Sequence, residues 1–499
     1  MLGINTGAAS ILKKSIMPKV TPIIHITSLL ASCMGCLMIL CGLVDQHFDF
    51  SPISTLTKSG LAIASTGLLL AIATSRPEIT TINRNQAYAL TAVVWVALPM
   101  FGAVPLFLGI QHAGITDAYF EAVSGMTTTG STVFHNLSSL PPGIQLWRGI
   151  LQWLGGLGIV IVAMIFLPMM RVGGMQFFLT EGFDTQGKLL PRTLDIAKSL
   201  LAIYICFTVI CAAAYAAMGM SALDAVVHAM TTISTGGFST TDQSFIRFEG
   251  ALEYACIIFM LAASLPLVRF VQLARGNAQP LLNDPQVRGY FLAILALVTV
   301  LVAFRTATSD EPFFEIVRES LFNVVSVISG TGYASEDISQ WGSFALTLVL
   351  VAGFLGGCTG STACSVKIFR WQVSLAAIAT RIKQVRYPNV VSQPMYSGKK
   401  LSKDVVDSVG TFMTLFAATV WFVAAALSLT GLTIETSFTS AWTAVANIGP
   451  AFGPKVESSG SLEHFSQAAK WIMIFGMIAG RLELLSLYVM FTRRFWDQW

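Results

Sequence analysis

The chain has 499 residues, of which 54% are apolar and only 11% charged, against roughly 25% charged residues in soluble domains. With a mean hydropathy of +0.69 and a formal net charge of +4, one or two soluble cores cannot hide so much apolar surface. The bilayer must be part of its solvent, which excludes a soluble enzyme, a disordered hub and a secreted disulfide scaffold, while the small scattered charge gives no footprint for nucleic acid.

A membrane helix needs about 20 largely apolar residues. In chain order, full-length candidates lie near 23–44, 59–75, 88–110, 147–170, 194–219, 251–274, 288–304, 341–384 (interrupted), 404–430 and 467–492. The first run is too long for a signal-peptide core and no A-x-A site follows, so it reads as a retained helix. Cys33 and Cys36 form a CxxC inside it, but no second ligand pair follows, and all eight cysteines read as small residues of membrane helices.

Between the spans lie four segments too short to cross, near 117–129, 222–235, 315–331 and 436–448, each ending in a small-residue cluster with glycine. Short helices that enter and leave on one side are re-entrant, and protein or a water-filled cavity must cover their broken ends. DAYFEAVSGMTTTGST, DAVVHAMTTISTGGFST, ESLFNVVSVISGTGYAS and SFTSAWTAVANIGPAFG align by pattern and register Gly130, Gly236, Gly332 and Gly449. A unit of span, re-entrant helix, glycine loop and span therefore recurs four times. The expected fold class is an all-α polytopic membrane protein with two N-terminal helices plus four such pseudo-repeats around a central pore. The expected domains are residues 1–86 (N-terminal extension), 87–192, 193–276, 277–387 and 388–499 (repeats 1 to 4).

With the N-terminus in the cytoplasm, 22 of the 30 basic residues fall on inner segments and seven on outer ones, while Arg481 lies inside a span. This bias predicts ten crossings, both termini cytoplasmic, and four re-entrant segments opening outward. Seventeen acidic residues then fall outside, Asp117, Glu121, Asp224, Glu253, Glu435 and Glu457 among them, which would concentrate cations at the outer mouth.

Helix C-termini converging on a pseudo-axis each bring roughly half a negative charge. Loop carbonyls there can replace a cation's water shell, and glycine supplies both the φ > 0 geometry and the missing Cβ that such a ladder needs. The predicted cation-binding residues are Thr128, Thr129 and Gly130 in loop 1, and Ser234, Thr235 and Gly236 in loop 2. Loop 3 contributes Gly330, Thr331 and Gly332, and loop 4 Asn447, Ile448 and Gly449. Thr127 and Ser329 are further candidates to brace the loops through their hydroxyls. Packing glycines at helix contacts would explain one TTTG but not four similar loops at similar spacing.

The stretch from Gly353 to Lys367 breaks an apolar span at mid-membrane depth with Gly, Ser, Thr and Cys. Broken helices at this depth line cavities, and a flexible loop under a filter can gate it. The predicted gate comprises Gly353, Gly356, Gly357, Gly360, Ser361, Thr362 and Lys367, although Gly353–Gly357 and Gly356–Gly360 also fit a GxxxG helix contact. Arg481 lies about 21 Å into the last span, at 1.5 Å per residue, too deep to snorkel, so it should face the bundle interior or water. Glu483 is off the same face, and His228 reads as a packed histidine.

The fourfold plan together with TTTG, STGGF, TGYA and NIGPAFG resembles the Trk/Ktr/HKT superfamily of potassium transporters. VGGMQFF (172–178), GGCTGST (356–362) and GRLELL (480–485) point to the bacterial Trk-type membrane subunit, and the resemblance covers nearly the whole chain. It implies K+ uptake across the bacterial cytoplasmic membrane by a homodimer with one pore per subunit, the filter glycines Gly130, Gly236, Gly332 and Gly449, a gate at 353–367, and Arg481 as its partner. It also implies a separate cytoplasmic regulatory subunit that binds nucleotides such as NAD or ATP. This chain has no Rossmann fingerprint of its own, so no cofactor is expected in it and K+ is the transported ion. The basic stretch from Arg381 to Lys403 would face that subunit or lipid headgroups. Sodium-selective relatives carry Ser at the first filter glycine, so Gly130 favours K+. The competing reading is a secondary transporter coupling K+ to H+ or Na+, for which Glu483 would be the first candidate carboxylate. No clustered catalytic set supports an intramembrane enzyme.

Overall fold

A computed structural model describes residues 6–48, 54–75, 84–161, 189–457 and 460–497. The string VGGMQFF, the inner half of the 147–170 span, and Arg76, Arg171 and Lys188 of the charge tally lie outside the described residues. The chain is an all-α polytopic membrane protein; a two-residue antiparallel ladder, Met395–Tyr396 with Lys399–Lys400, is the only strand pairing among the described residues. It forms two compact units, residues 1–119 with 141–147 and 486–499, and residues 120–140 with 148–485.

In the first unit, α1 (Thr6–His47) and α2 (Thr55–Thr74) cross closely, followed by α3 (Arg84–Gly109). A Cβ on Gly35 would press on the backbone of Ala64 and Gly60, so small residues set that crossing distance. Cys33 and Cys36 are exposed free thiols on α1.

Four short helices carry the repeat: α4 (Ile115–Met126), α7 (Ala222–Ile233), α12 (Phe313–Ser329) and α16 (Ile434–Ala446). Each has an acid in its first turn, namely Asp117, Asp224, Glu315 and Glu435, which complements the positive end of the helix dipole. Between them run α5 (Pro142–Ile161), α6 (Leu189–Ala217), α8 (Ala251–Ser264), α9 (Leu267–Ala274), α10 (Gln279–Leu282) and α11 (Pro285–Thr308). The chain continues through α13 (Ser343–Leu355), α14 (Ile368–Arg386) and α15 (Lys403–Ser428), and ends in α17 (Gln467–Arg481), α18 (Leu485–Met490) and α19 (Arg493–Asp497).

Among the described residues, six helices are long and apolar enough to cross a membrane on their own. Several of the ten expected spans are instead broken. The 251–274 span bends by 96° between α8 and α9, where Pro266 cannot donate to the helix ladder. The 467–492 span also breaks, because Glu483 and Leu484 take left-handed backbone angles, φ 57° and 47°. The interruption at 353–367 is present as a coil from Gly356 to Lys367 between α13 and α14.

Candidate functional site

The four short helices end in loops of one shared geometry within the second unit. One or two residues past each helix end the backbone turns left-handed: Thr128, Thr235, Gly330 and Asn447, at φ 53°, 51°, 79° and 54°. The next N–H reaches back five residues in every case: Thr129 to Ser124 O (2.9 Å), Gly236 to Thr231 O (2.8 Å), Thr331 to Ser326 O (2.9 Å) and Ile448 to Thr443 O (3.2 Å). The following glycine again has positive φ: Gly130 (87°), Gly237 (76°), Gly332 (78°) and Gly449 (111°).

These glycines close a ring. A Cβ on Gly130 would strike Gly236 O, one on Gly237 would strike Thr331 O, one on Gly332 would strike Ile448 O, and one on Gly449 would press on Thr129 O. Each loop thus lays one carbonyl against the glycine of its neighbour, in the order 1–2–3–4–1. The ring assigns loop 2 a register one residue later than the motif alignment. Its equivalent glycine is Gly237, and Gly236 stands where the other loops carry Thr129, Thr331 and Ile448. Two adjacent glycines left that choice open in the sequence.

Hydroxyls and amides brace the ring from behind. Thr127 and Thr129 share a hydrogen bond of 2.8 Å, as do Ser329 and Thr331. Asn447 Nδ2 donates to Thr129 Oγ1 at 2.8 Å, and Ser131 Oγ donates to Gly449 O at 2.7 Å, which ties loops 1 and 4. Ser234, expected among the binding residues, instead ends α7, donating its hydroxyl to Thr231 O at 3.3 Å. His228 is buried, its ring nitrogens 2.8 Å from Asp224 O and 3.1 Å from Ser239 Oγ.

Above the ring lies a cavity of about 560 Å³ lined by loop residues and by Asp242, Glu336, Asp337, Glu435 and Glu457. Not every acid assigned to the outer face serves it. Glu121 is fully buried, taking Nε of Arg148 at 2.9 Å and the N–H of Val133 at 3.1 Å, while Arg148 Nη1 donates to Ser239 O at 2.9 Å. Glu253 is likewise buried, paired with Arg318 at 2.7 Å. Glu311, Glu319 and Glu336 converge closely enough to hold a metal ion, but Arg305 sits among them, bonding Glu311 and, at 2.9 and 3.3 Å, the other two.

Below the ring, the 356–367 coil is folded against the helix ends. Thr362 Oγ1 donates to Ile233 O (3.1 Å) and Ala263 O (3.0 Å), and Ser365 N donates to Ala446 O (3.1 Å). The loop thereby takes up C-terminal carbonyls of two short helices, which would otherwise lack partners. The break between α8 and α9 holds it from the other side: Cys358 N donates to Ser264 O (3.0 Å) and Leu267 N to Gly360 O (3.0 Å). Ser361 Oγ closes a turn on Cys358 O, and Gln286 Oε1 accepts Thr359 N at 2.8 Å. Gly353 stays helical, its small size required by Trp442, and Gly357 lies against Ala363 and Ser264.

Arg481, 4% exposed, donates Nη1 to Cys364 Sγ at 3.0 Å and Nη2 to Gly155 O at 3.1 Å. Cys364 Sγ also lies 3.5 Å from Thr128 Oγ1, directly beneath loop 1. Arg481, expected to face the bundle interior or water, thus meets the coil through the thiol of Cys364. Glu483 pairs with Arg370, whose guanidinium also stacks 3.7 Å over Phe412. Lys367 is buried and its ammonium has no hydrogen-bond partner among the described residues. Three cations and one carboxylate therefore sit under the ring. Sequence reasoning missed Gly237, Gln152, Cys364 and the Arg370–Glu483 and Arg148–Glu121 pairs. Of these, only Gln152 carried a signal, a lone amide in the apolar run ILQWLGGLGI.

The TrkH family profile, described as a cation transport protein, matches residues 53–497. Over 446 residues the chain is 41% identical to the Trk system potassium uptake protein TrkI of Halomonas elongata, covering 88% of this chain and 90% of that protein. It is 32% identical over 432 residues to the Trk system potassium uptake protein TrkH of Escherichia coli K12, covering 85% and 88%. The crystal structure of the potassium transporter TrkH from Vibrio parahaemolyticus matches with a TM-score of 0.87 at 28% identity, covering 96% of this chain and 100% of that one. With this match along nearly its whole length, the chain belongs to the TrkH family of cation transport proteins, a family of transporters and not of enzymes.

Proposed function

We propose that this protein takes up K+ across the bacterial cytoplasmic membrane as a channel-like subunit, with the four-loop ring as selectivity filter and the 356–367 coil with Arg481 as gate. The observation that carries the reading is the closed ring of carbonyl-to-glycine contacts, since a fourfold set of oriented carbonyls is a site for a dehydrated cation. The acids lining the outer cavity raise the local cation concentration, and the helix C-termini favour positive charge at the ring. Buried beneath it, Arg481 and Lys367 oppose a resting cation, and moving the coil would displace its Cys364 contact with Arg481.

Coupled transport is the second reading. Its leading carboxylate, Glu483, is held by Arg370, which supports passive movement down the electrochemical gradient. The positive-inside bias supports both termini in the cytoplasm. A homodimer and a separate nucleotide-binding cytoplasmic subunit follow from the family resemblance, and the relatives' naming as parts of a Trk system fits a multi-component assembly. The test is K+ and Na+ flux through the purified full chain in liposomes, with and without a pH gradient. Voltage-driven flux selective for K+ and indifferent to the pH gradient is expected. Uphill K+ movement driven by that gradient would establish the coupled reading instead.

A further inference from the structure

Loop 2 differs from its three counterparts at one atom position. Where loops 1, 3 and 4 place the side chains of Thr129, Thr331 and Ile448 behind the ring, loop 2 has Gly236 and no side chain. That space is not empty. A Cβ on Gly236 would collide with the amide of Gln152, a fully buried residue of α5. Gln152 Nε2 donates to Gly236 O at 2.6 Å, and its Oε1 accepts Phe238 N at 3.0 Å. The amide thus spans loop 2 from the ring carbonyl to the backbone two residues on.

We propose that Gln152 supplies from α5 the side chain that loop 2 lacks, and that it is a positioning residue for ion selection. The inference rests on the reading of the four loops as the filter. Its physical basis is direct. Gly236 O is the carbonyl that lies against Gly130, and a carbonyl oxygen has two lone pairs. The amide bond at 2.6 Å occupies one and fixes the direction of the other. Gly236 itself has no Cβ to limit its backbone, so without the amide the peptide that follows it is the freest in the ring. A rotated carbonyl would leave a gap on one side of the site, and the discrimination between K+ and the smaller Na+ would fall. Arg148, one turn earlier on α5, grips the same loop through Ser239 O, so α5 aligns two points of loop 2 at once.

The test is a double-mutant cycle read as the K+/Na+ flux ratio of the purified full chain in liposomes, at matched amounts of folded protein. Gln152→Ala removes both bonds and is expected to lower the ratio on the order of tenfold. Gly236→Ser alone forces a Cβ into the amide and should lower it too. The double variant Gln152→Ala/Gly236→Ser restores a short hydroxyl behind the ring, as Thr129 and Thr331 provide, and is expected to recover much of the ratio. A Gln152→Ala ratio equal to that of the unmodified protein, or a double variant no better than the worse single one, would overturn the proposal. Gly130→Ser serves as the control on the filter itself. If it lowers the ratio while Gln152→Ala does not, only the role of Gln152 fails; if it leaves the ratio intact, the filter assignment fails.

Discussion

The ring and the coil beneath it are built on opposite principles. The ring is repetitive: four loops share one order of backbone angles, one five-residue N–H return and one glycine contact, and most of its bonds stay within a repeat or pass to the next. The coil occurs once. It is held by partners far apart in sequence, with Thr362 reaching Ile233, Cys364 taking Arg481, and Thr359 meeting Gln286. Redundant backbone geometry suits a site that must hold one shape. A single loop held by polar contacts that occur once each, with no repeat to duplicate them, suits an element with a second resting position.

The sharpest way to break this comparison is at the ring. Gly332→Ala would add a Cβ against Ile448 O and Pro450 at a left-handed backbone position. Strain and overpacking together are worth about 2 to 6 kcal/mol, so K+ flux should fall on the order of 10²-fold. Flux near that of the unmodified protein would mean that the ring contacts are not a constraint on permeation. The expected effect is smaller at the coil. Arg481→Ala removes a buried positive charge and the contacts to Cys364 and Gly155, and basal K+ flux should rise by about tenfold, the equivalent of about 1.4 kcal/mol off the barrier. An unchanged basal flux would remove Arg481 from the gate.

The same contrast explains what the sequence made legible. The four short helices could be read because each is an apolar run of about a dozen residues with an acid near its start and glycine after its end, and the pattern came four times. The register of loop 2 could not, because Gly236 and Gly237 are chemically alike and only φ separates them. Pro266 did announce the bend between α8 and α9, yet the apolar run through it masked the break. No Gly or Pro marks the break at Glu483–Leu484. Arg370 and Glu483 lie 113 residues apart, a pairing that no local pattern encodes. The coil's position was visible as a cluster of small polar residues in a span, and Arg481 beside it as a cation too deep to snorkel, whereas the backbone carbonyls that hold Thr362 were not.

Thr362→Val sharpens the comparison from within the coil. Valine keeps the shape but loses the hydroxyl that donates to Ile233 O and Ala263 O. Each such bond is worth about 1 kcal/mol net, so basal flux should rise several-fold, less than for Arg481→Ala and in the same direction. A fall in flux would show that the loop hydroxyl serves the ring rather than closure.

The smallest effect is expected furthest from both regions. Glu435 is exposed in the first turn of α16 and lines the cavity above the ring, so on the proposed function it would act on an ion only through its field. Glu435→Gln should lower K+ flux by less than about twofold at low ionic strength, and the difference should vanish near 1 M salt, where screening acts over about 3 Å. The K+/Na+ ratio should not move, because a distant carboxylate attracts both ions alike while discrimination depends on carbonyls that touch the ion. A changed ratio in Glu435→Gln would therefore mean that ion choice begins in the outer cavity, and that the repetitive ring does not carry selectivity alone.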